Sequence, residues 1–202
     1  MIKVCGIKDC AMALTAVEAG ATAIGLVFAD SPRRVTPRQA ARVAQALPAH
    51  VLCVGVFRGC LLDEARAVLQ AVGLGAVQMH ADAGCELPQV LEGVPMVPAG
   101  SLADVAVLPH ALVLVDSPAG AGSGQAWDYA QAAALAARRR VVVAGGLHPG
   151  NVAAAVAAAR PAGVDVSSGV ERRRGEKDAG LVREFVREAQ RALRDLNMEQ
   201  AR

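Results

Sequence analysis

Short apolar runs recur along the chain with amphipathic segments between them, and this alternation constrains the fold more than any other feature. The runs are "IKVC", "AIGLVF", "VLCVGVF", "AVQMH", "PMVPA", "ALVLVD", "VVVAGG" and "GVDVSS". Several are apolar throughout rather than at every second residue, the pattern of parallel strands covered on both faces. Helical periodicity appears between them at Asp9 to Ala19, Pro37 to Leu47, Leu62 to Val72, Asp128 to Ala137, Asn151 to Ala159 and Asp178 to Leu196. Strand then helix, eight times, predicts a (β/α)8 barrel of parallel strands, with residues 1–202 forming a single domain. A doubly wound open sheet uses the same alternation and is the alternative. The weak section is Ala81 to His110, where "ELPQVLEGV" and "SLADVAVL" are poor helix candidates, so one of the two helices expected there is short.

Composition narrows the class. With 53% hydrophobic residues and only 2% aromatics, the core has to be built from Ala, Val and Leu. No apolar run approaches the roughly 18 residues needed to cross a bilayer, and "MIKVCGIKDC" lacks the apolar stretch of a secretory signal, so a cytoplasmic protein without membrane contact is expected. The net charge of +2 is small, and the "RRR" runs at Arg138 to Arg140 and Arg172 to Arg174 have no interleaved aromatics for base stacking, which argues against a nucleic-acid partner. Five cysteines form no C-x-x-C pair, and their odd number argues against a closed disulfide framework. The histidines are scattered as well, so no metal site is expected.

In a barrel, chemistry sits at the C-terminal ends of the strands and in the loops that follow them. Strand one ends in Cys5-Gly6, strand two leads into "FADSPRRVTP", strand six ends at Asp116, strand seven in Gly145-Gly146, and strand eight in Ser167-Ser168-Gly169. Glycines and hydroxyls after strands seven and eight offer backbone N–H groups to a phosphate. Each turn alone is equally well a tight turn; two after consecutive strands point to a phosphorylated small-molecule ligand. Cys5 singly reads as a small buried residue, and Asp116 as a turn residue or cap.

Ordered motifs along nearly the whole chain resemble those of the phosphoribosylanthranilate isomerases of tryptophan biosynthesis: "KVCGIKD", "GLVFADSPRRVTP", "VGVF", "VQMH", "AGGLHPGNV", and "VDVSSGVE" followed by "KDAGLVREF". The resemblance implies an isomerase that turns N-(5'-phosphoribosyl)anthranilate into the 1-deoxyribulose 5-phosphate by an Amadori rearrangement, with no cofactor. It further implies Asp116 as the acid that protonates the ribose ring oxygen and Cys5 as the base at C2′. Arg33 would bind the anthranilate carboxylate, with its neighbour Arg34 turned away, because adjacent residues of an extended loop point to opposite sides. Gly145, Gly146, Ser167, Ser168 and Gly169 would hold the phosphate. His80 reads as a strand-end structural residue, and "AGAGSG" after strand six as a permissible lid. Monomer and homodimer both remain open. Two other readings stand beside this one. A histidine-pathway or dual-substrate isomerase is disfavoured by Cys5 and by the lack of a second Gly-Ser turn after strands three and four. A non-catalytic barrel that binds a phosphorylated ligand is disfavoured by the presence of both Cys5 and Asp116.

Overall fold

The computed structural model describes residues 1–59, 61–80, 85–120 and 123–200. Eight parallel strands form the barrel: β1 (Ile2–Cys5), β2 (Ala23–Val27), β3 (Leu52–Arg58), β4 (Ala76–His80), β5 (Val94–Gly100), β6 (Leu112–Val115), β7 (Arg140–Val143) and β8 (Gly163–Val166). Neighbours in sequence pair in parallel around the ring. The sheet closes where β1 pairs with β8 (Lys3 opposite Asp165), and β4 pairs with β5 (Val77 opposite Met96). This closure excludes the open doubly wound sheet.

The helices are α1 (Cys10–Ala19), α2 (Pro37–Ala46), α3 (Leu62–Val72), α4 (Leu102–Ala106), α5 (Ala133–Ala136, preceded by a 3-10 turn at Tyr129–Ala132), α6 (Val152–Ala159) and α7 (Ala179–Gln200). Their starts follow capping chemistry. The Asp9 carboxylate accepts from the Met12 N–H, and Thr36 and Gln39 form a reciprocal capping box with Pro37 at the first helical position.

"ELPQVLEGV" is not a helix. Val90–Leu91 pairs antiparallel with the start of β5, Leu91 opposite Val94, and the two-residue turn between them has Glu92 at φ 49 and Gly93 at φ 83. Two consecutive positive φ values are the requirement of a tight hairpin turn, and glycine meets it at no steric cost. "SLADVAVL" gives only the five-residue α4, started by a capping box between Ser101 and Asp104.

Pleating sorts the side chains into two cores. Ile2 and Val4 point outward into the layer between barrel and helices, together with Ile24, Leu26, Val141, Val143, Val164 and Phe185. Lys3 and Cys5 point into the barrel, where Cys5 packs with Ala23, Val27, Val54 and Val56. A second interior cluster holds Val97, Ala99, Leu114 and Val142. The barrel interior also contains charge: Lys3 is 1% exposed and Asp165 7%. Cys5, Cys10 and Cys53 are free thiols, whereas Cys85 is disulfide-bonded, which the odd cysteine count did not suggest.

Candidate active site

At the C-terminal rim a single cleft gathers residues from most of the strands. Cys5 at the end of β1, Arg33 from the loop after β2, Arg58 at the end of β3, His80 at the end of β4, Asp116 just after β6 and Ser167 just after β8 all line it. A contiguous part of the cleft shares Arg58, His80 and Asp116 and extends over Gly100, Ser117 and Gly120.

Cys5 is buried, and burial pushes its thiol up in pKa; the charges of Lys3 and Lys177 act in the opposite direction. Room for it comes from the adjacent strand. A Cβ on Gly25 would lie 2.8 Å from the Cys5 Sγ and 3.1 Å from the Lys3 Cε, so glycine is needed there by close approach.

Asp116 is 9% exposed, and burial raises its carboxyl to about 6 against the opposing hydrogen bond from the Ser117 N–H. That bond, 2.7 Å to Oδ1, fixes the orientation of the carboxyl group, while the Asp116 N–H donates to the Gly100 carbonyl at 2.7 Å. At about 6 the carboxyl keeps roughly a tenth of its population protonated at pH 7, about a hundredfold more than an ordinary aspartate, which suits a general acid. His80 is held neutral, its pKa lowered to about 4 by burial and by the charges of Lys3 and Arg58, and its Nε2 lies 3.0 Å from the Gln78 amide nitrogen. A neutral, side-chain-bonded imidazole in the wall fits the structural role better than a proton carrier.

The two adjacent arginines diverge. Arg33 is 7% exposed and faces the cleft, whereas Arg34 is exposed and lines a separate groove between α2 and α3. Arg33 is already engaged. Its Nε and Nη2 donate to the two Glu171 oxygens at 2.7 and 3.0 Å, a bidentate pair along one edge of the guanidinium. Glu171 also accepts from Lys177 Nζ at 2.7 Å and from the Gly175 N–H at 3.0 Å. Burial alone would raise the Glu171 carboxyl, but these donors outweigh it and hold it at about 2. A guanidinium has two edges that can each meet a carboxylate. With the Nε edge held by Glu171, the edge carrying Nη1 makes no carboxylate pair among the described residues. Glu171 was visible in "VDVSSGVE" only as the end of a motif, and nothing local marks it as the partner of a residue 138 positions away.

The turns after β7 and β8 behave as a pair. Gly145 and Gly146 have φ of 80 and 65. The Gly145 carbonyl accepts from Tyr129 Oη at 2.8 Å and the Gly146 carbonyl from the Asn151 amide at 2.9 Å, which fixes both peptide planes. Among the described residues, the N–H groups of Gly145, Gly146, Ser168 and Gly169 donate no hydrogen bond within the protein. Gly169 packs so closely that a Cβ would lie 1.8 Å from the Leu147 carbonyl oxygen. Ser167 differs from the expectation of a direct phosphate ligand. Its hydroxyl donates to the Cys5 carbonyl at 3.2 Å, and its own carbonyl accepts from Lys177 Nζ at 2.9 Å, so it joins strand ends. Ser168 instead faces an adjoining pocket with Ser123, Arg173 and Arg174. Residues 121–122, in the middle of the "AGAGSG" stretch read as a permissible lid, and the loop residues 81–84 after "VQMH" lie outside the described residues.

Fold and cleft together define a class: a closed (β/α)8 barrel with a buried thiol and a raised carboxyl on one rim, beside two turns rich in unpaired N–H groups. Residues 2–188 match the family described as N-(5'-phosphoribosyl)anthranilate (PRA) isomerase. The chain is 40% identical to the N-(5'-phosphoribosyl)anthranilate isomerase of Desulforudis audaxviator, over 96% of this chain and 99% of that one. It is 42% identical to that of Pelobacter propionicus, over 92% and 93%. Among solved structures, it resembles phosphoribosyl anthranilate isomerase from Thermus thermophilus (TM-score 0.83, 34% identity, covering 94% of this chain and 98% of that one). It also resembles a phosphoribosyl anthranilate isomerase in complex with reduced 1-(o-carboxyphenylamino)-1-deoxyribulose 5-phosphate (TM-score 0.82, 33% identity, covering 94% and 97%). The chain belongs to the phosphoribosylanthranilate isomerase family. Among the described residues no helix is long and apolar enough to cross a membrane.

Proposed function

We propose that this chain, acting as a single catalytic domain, converts N-(5'-phosphoribosyl)anthranilate to 1-(2-carboxyphenylamino)-1-deoxyribulose 5-phosphate in L-tryptophan biosynthesis. The observation that carries the reading is the single cleft lined by Cys5, Asp116 and Arg33, in a chain whose family match spans residues 2–188. The phosphate is anchored by the N–H groups after β7 and β8, and the anthranilate carboxylate by the open edge of Arg33. Asp116 donates its proton to the ribose ring oxygen, the C1′–O bond breaks, and the nitrogen lone pair forms the C1′ iminium. Cys5, as thiolate, takes the C2′ proton, and the C2′–H electrons neutralise the iminium to an enolamine. Proton transfer from the C2′ hydroxyl to C1′ then gives the ketose. One carbon is reduced as its neighbour is oxidised, so the reaction needs no external electron acceptor. The base has to stay a free thiol, as Cys5 is here, and a cytoplasmic site of action would keep it so. A relative of this fold is known as monomers generated from the dimeric Thermotoga maritima isomerase; we take the cleft of this chain to be complete in one copy, as monomer or within a homodimer. The test is to generate the substrate from anthranilate and phosphoribosyl pyrophosphate with a transferase and to follow loss of its fluorescence on adding the protein. Rapid loss is expected; no change with folded protein would contradict the proposal.

A further inference from the structure

Two buried charges remain that the mechanism above does not use. Lys3 and Asp165 face each other across β1 and β8, register partners one layer below the rim, with Nζ 3.0 Å from Oδ1. Removing two charges from water is expensive, and a well-packed apolar pair at such a place is often as stable or more so. The pair is also imperfect: neither Lys3 Nζ nor Asp165 Oδ1 makes an aligned hydrogen bond. Stability alone is therefore a weak reason for it.

Its surroundings suggest another. Lys3 and Cys5 alternate on one strand and so share its inner face. Both converge on the space left by Gly25, the Sγ 2.8 Å and the Lys3 Cε 3.1 Å from where a Cβ would stand, so the two side chains lie together over that glycine. We propose that Lys3, held by Asp165, is a positioning residue whose buried ammonium stabilises the thiolate of Cys5 and aims it into the cleft. This rests on the reading of Cys5 as the base.

The charges that face Cys5 are Lys3 on its own strand, Asp165 on β8 and Lys177 from the segment after β8; β2 and β3 bring only glycine and apolar side chains against it. Lys177 is committed to Glu171 and Ser167, which leaves Lys3 as the cation with hydrogen-bonding capacity to spare. Although burial alone would lower it, the Lys3 pKa is raised by Asp165 and Cys5, so its charge persists at neutral pH. A thiol that loses such a neighbour titrates higher, and its thiolate becomes scarcer at pH 7.

The test reads the thiol directly. Alkylation of Cys5 by iodoacetamide is followed against pH by peptide mass spectrometry, which separates it from Cys10 and Cys53. Wild type is compared with Asp165→Asn and with Lys3→Met/Asp165→Asn, a double variant that leaves no unpaired buried charge. The double variant should shift the Cys5 inflection upward by about one pH unit or more, with a matching loss of kcat at pH 7. Asp165→Asn removes the carboxylate that holds Lys3 and keeps it charged against burial, so it should shift the inflection upward as well. An unchanged Cys5 profile in the folded double variant would overturn the proposal. Turnover retained by Cys5→Ala would instead remove Cys5 as base, so the two failures are distinguishable.

Discussion

Asp116→Asn should make the protein more stable while stopping its chemistry. In the fold the Asp116 carboxyl titrates at about 6, against 3.8 without its surroundings. A carboxyl whose folded pKa is raised keeps its proton longer in the folded state than in the unfolded one. Stability from this group is thus fully present below about 3.8 and is lost as pH rises to about 6. A displacement of roughly two units corresponds to about 3 kcal/mol once the group is ionised in both states. Asparagine cannot ionise and keeps an oxygen to accept the Ser117 N–H, so it escapes this penalty without losing the local bond. Urea unfolding at pH 8 should show the variant more stable by about 3 kcal/mol, equivalent to about 6–12 °C in Tm for a chain of this size. At pH 5 the gap should shrink to about half, and near pH 3.5 it should vanish. A gap that is absent at pH 8, or that does not change with pH, would refute the burial of a raised carboxyl at this position.

Two further outcomes follow from the cleft. Arg33→Ala should raise KM by about 30-fold to 1,000-fold, the equivalent of losing about 2–4 kcal/mol of charge-assisted carboxylate binding, and Arg33→Lys should recover little of it. Arg34→Ala should stay near wild type, since that side chain lies in another groove; the reverse order in kcat/KM would place the carboxylate on Arg34. Gly169→Val should raise KM and weaken inhibition by inorganic phosphate, because a side chain there meets the Leu147 carbonyl and displaces the turn. Unchanged phosphate inhibition in folded protein would make the turns structural only.

What was legible in the chain follows from range. Parallel strands buried on both faces and helices with local caps are written in consecutive residues, so the barrel and most element bounds could be read from period alone. "ELPQVLEGV" was a poor helix candidate, and it forms the arm of a hairpin instead. The informative part was "LEGV", an apolar pair flanking a turn with glycine second. At the site, rim position singled out Cys5, Asp116 and the Gly-Gly and Ser-Ser-Gly turns. Opposite pointing of neighbours in a loop allowed only one of Arg33 and Arg34 to face the cleft, and the register of the family motif picked Arg33. Lys3, Asp165 and Glu171 passed unnoticed because each sits inside a motif whose neighbours look apolar or turn-like. Their meaning lies in partners across the ring: Lys3 opposite Asp165 by strand register, and Glu171 against Arg33 between two loops. The Ser167 hydroxyl likewise has a partner that the local sequence does not announce, the Cys5 carbonyl.

The most direct test of the account compares Cys5→Ala and Asp116→Asn with wild type in the fluorescence assay, with affinity for reduced 1-(o-carboxyphenylamino)-1-deoxyribulose 5-phosphate measured in parallel by calorimetry. Each variant should lose kcat by about 100-fold or more, on the order of 3 kcal/mol, while binding the analogue within a few-fold of wild type. Wild-type kcat in either variant would remove that residue from the chemistry and contradict acid–base catalysis across this cleft.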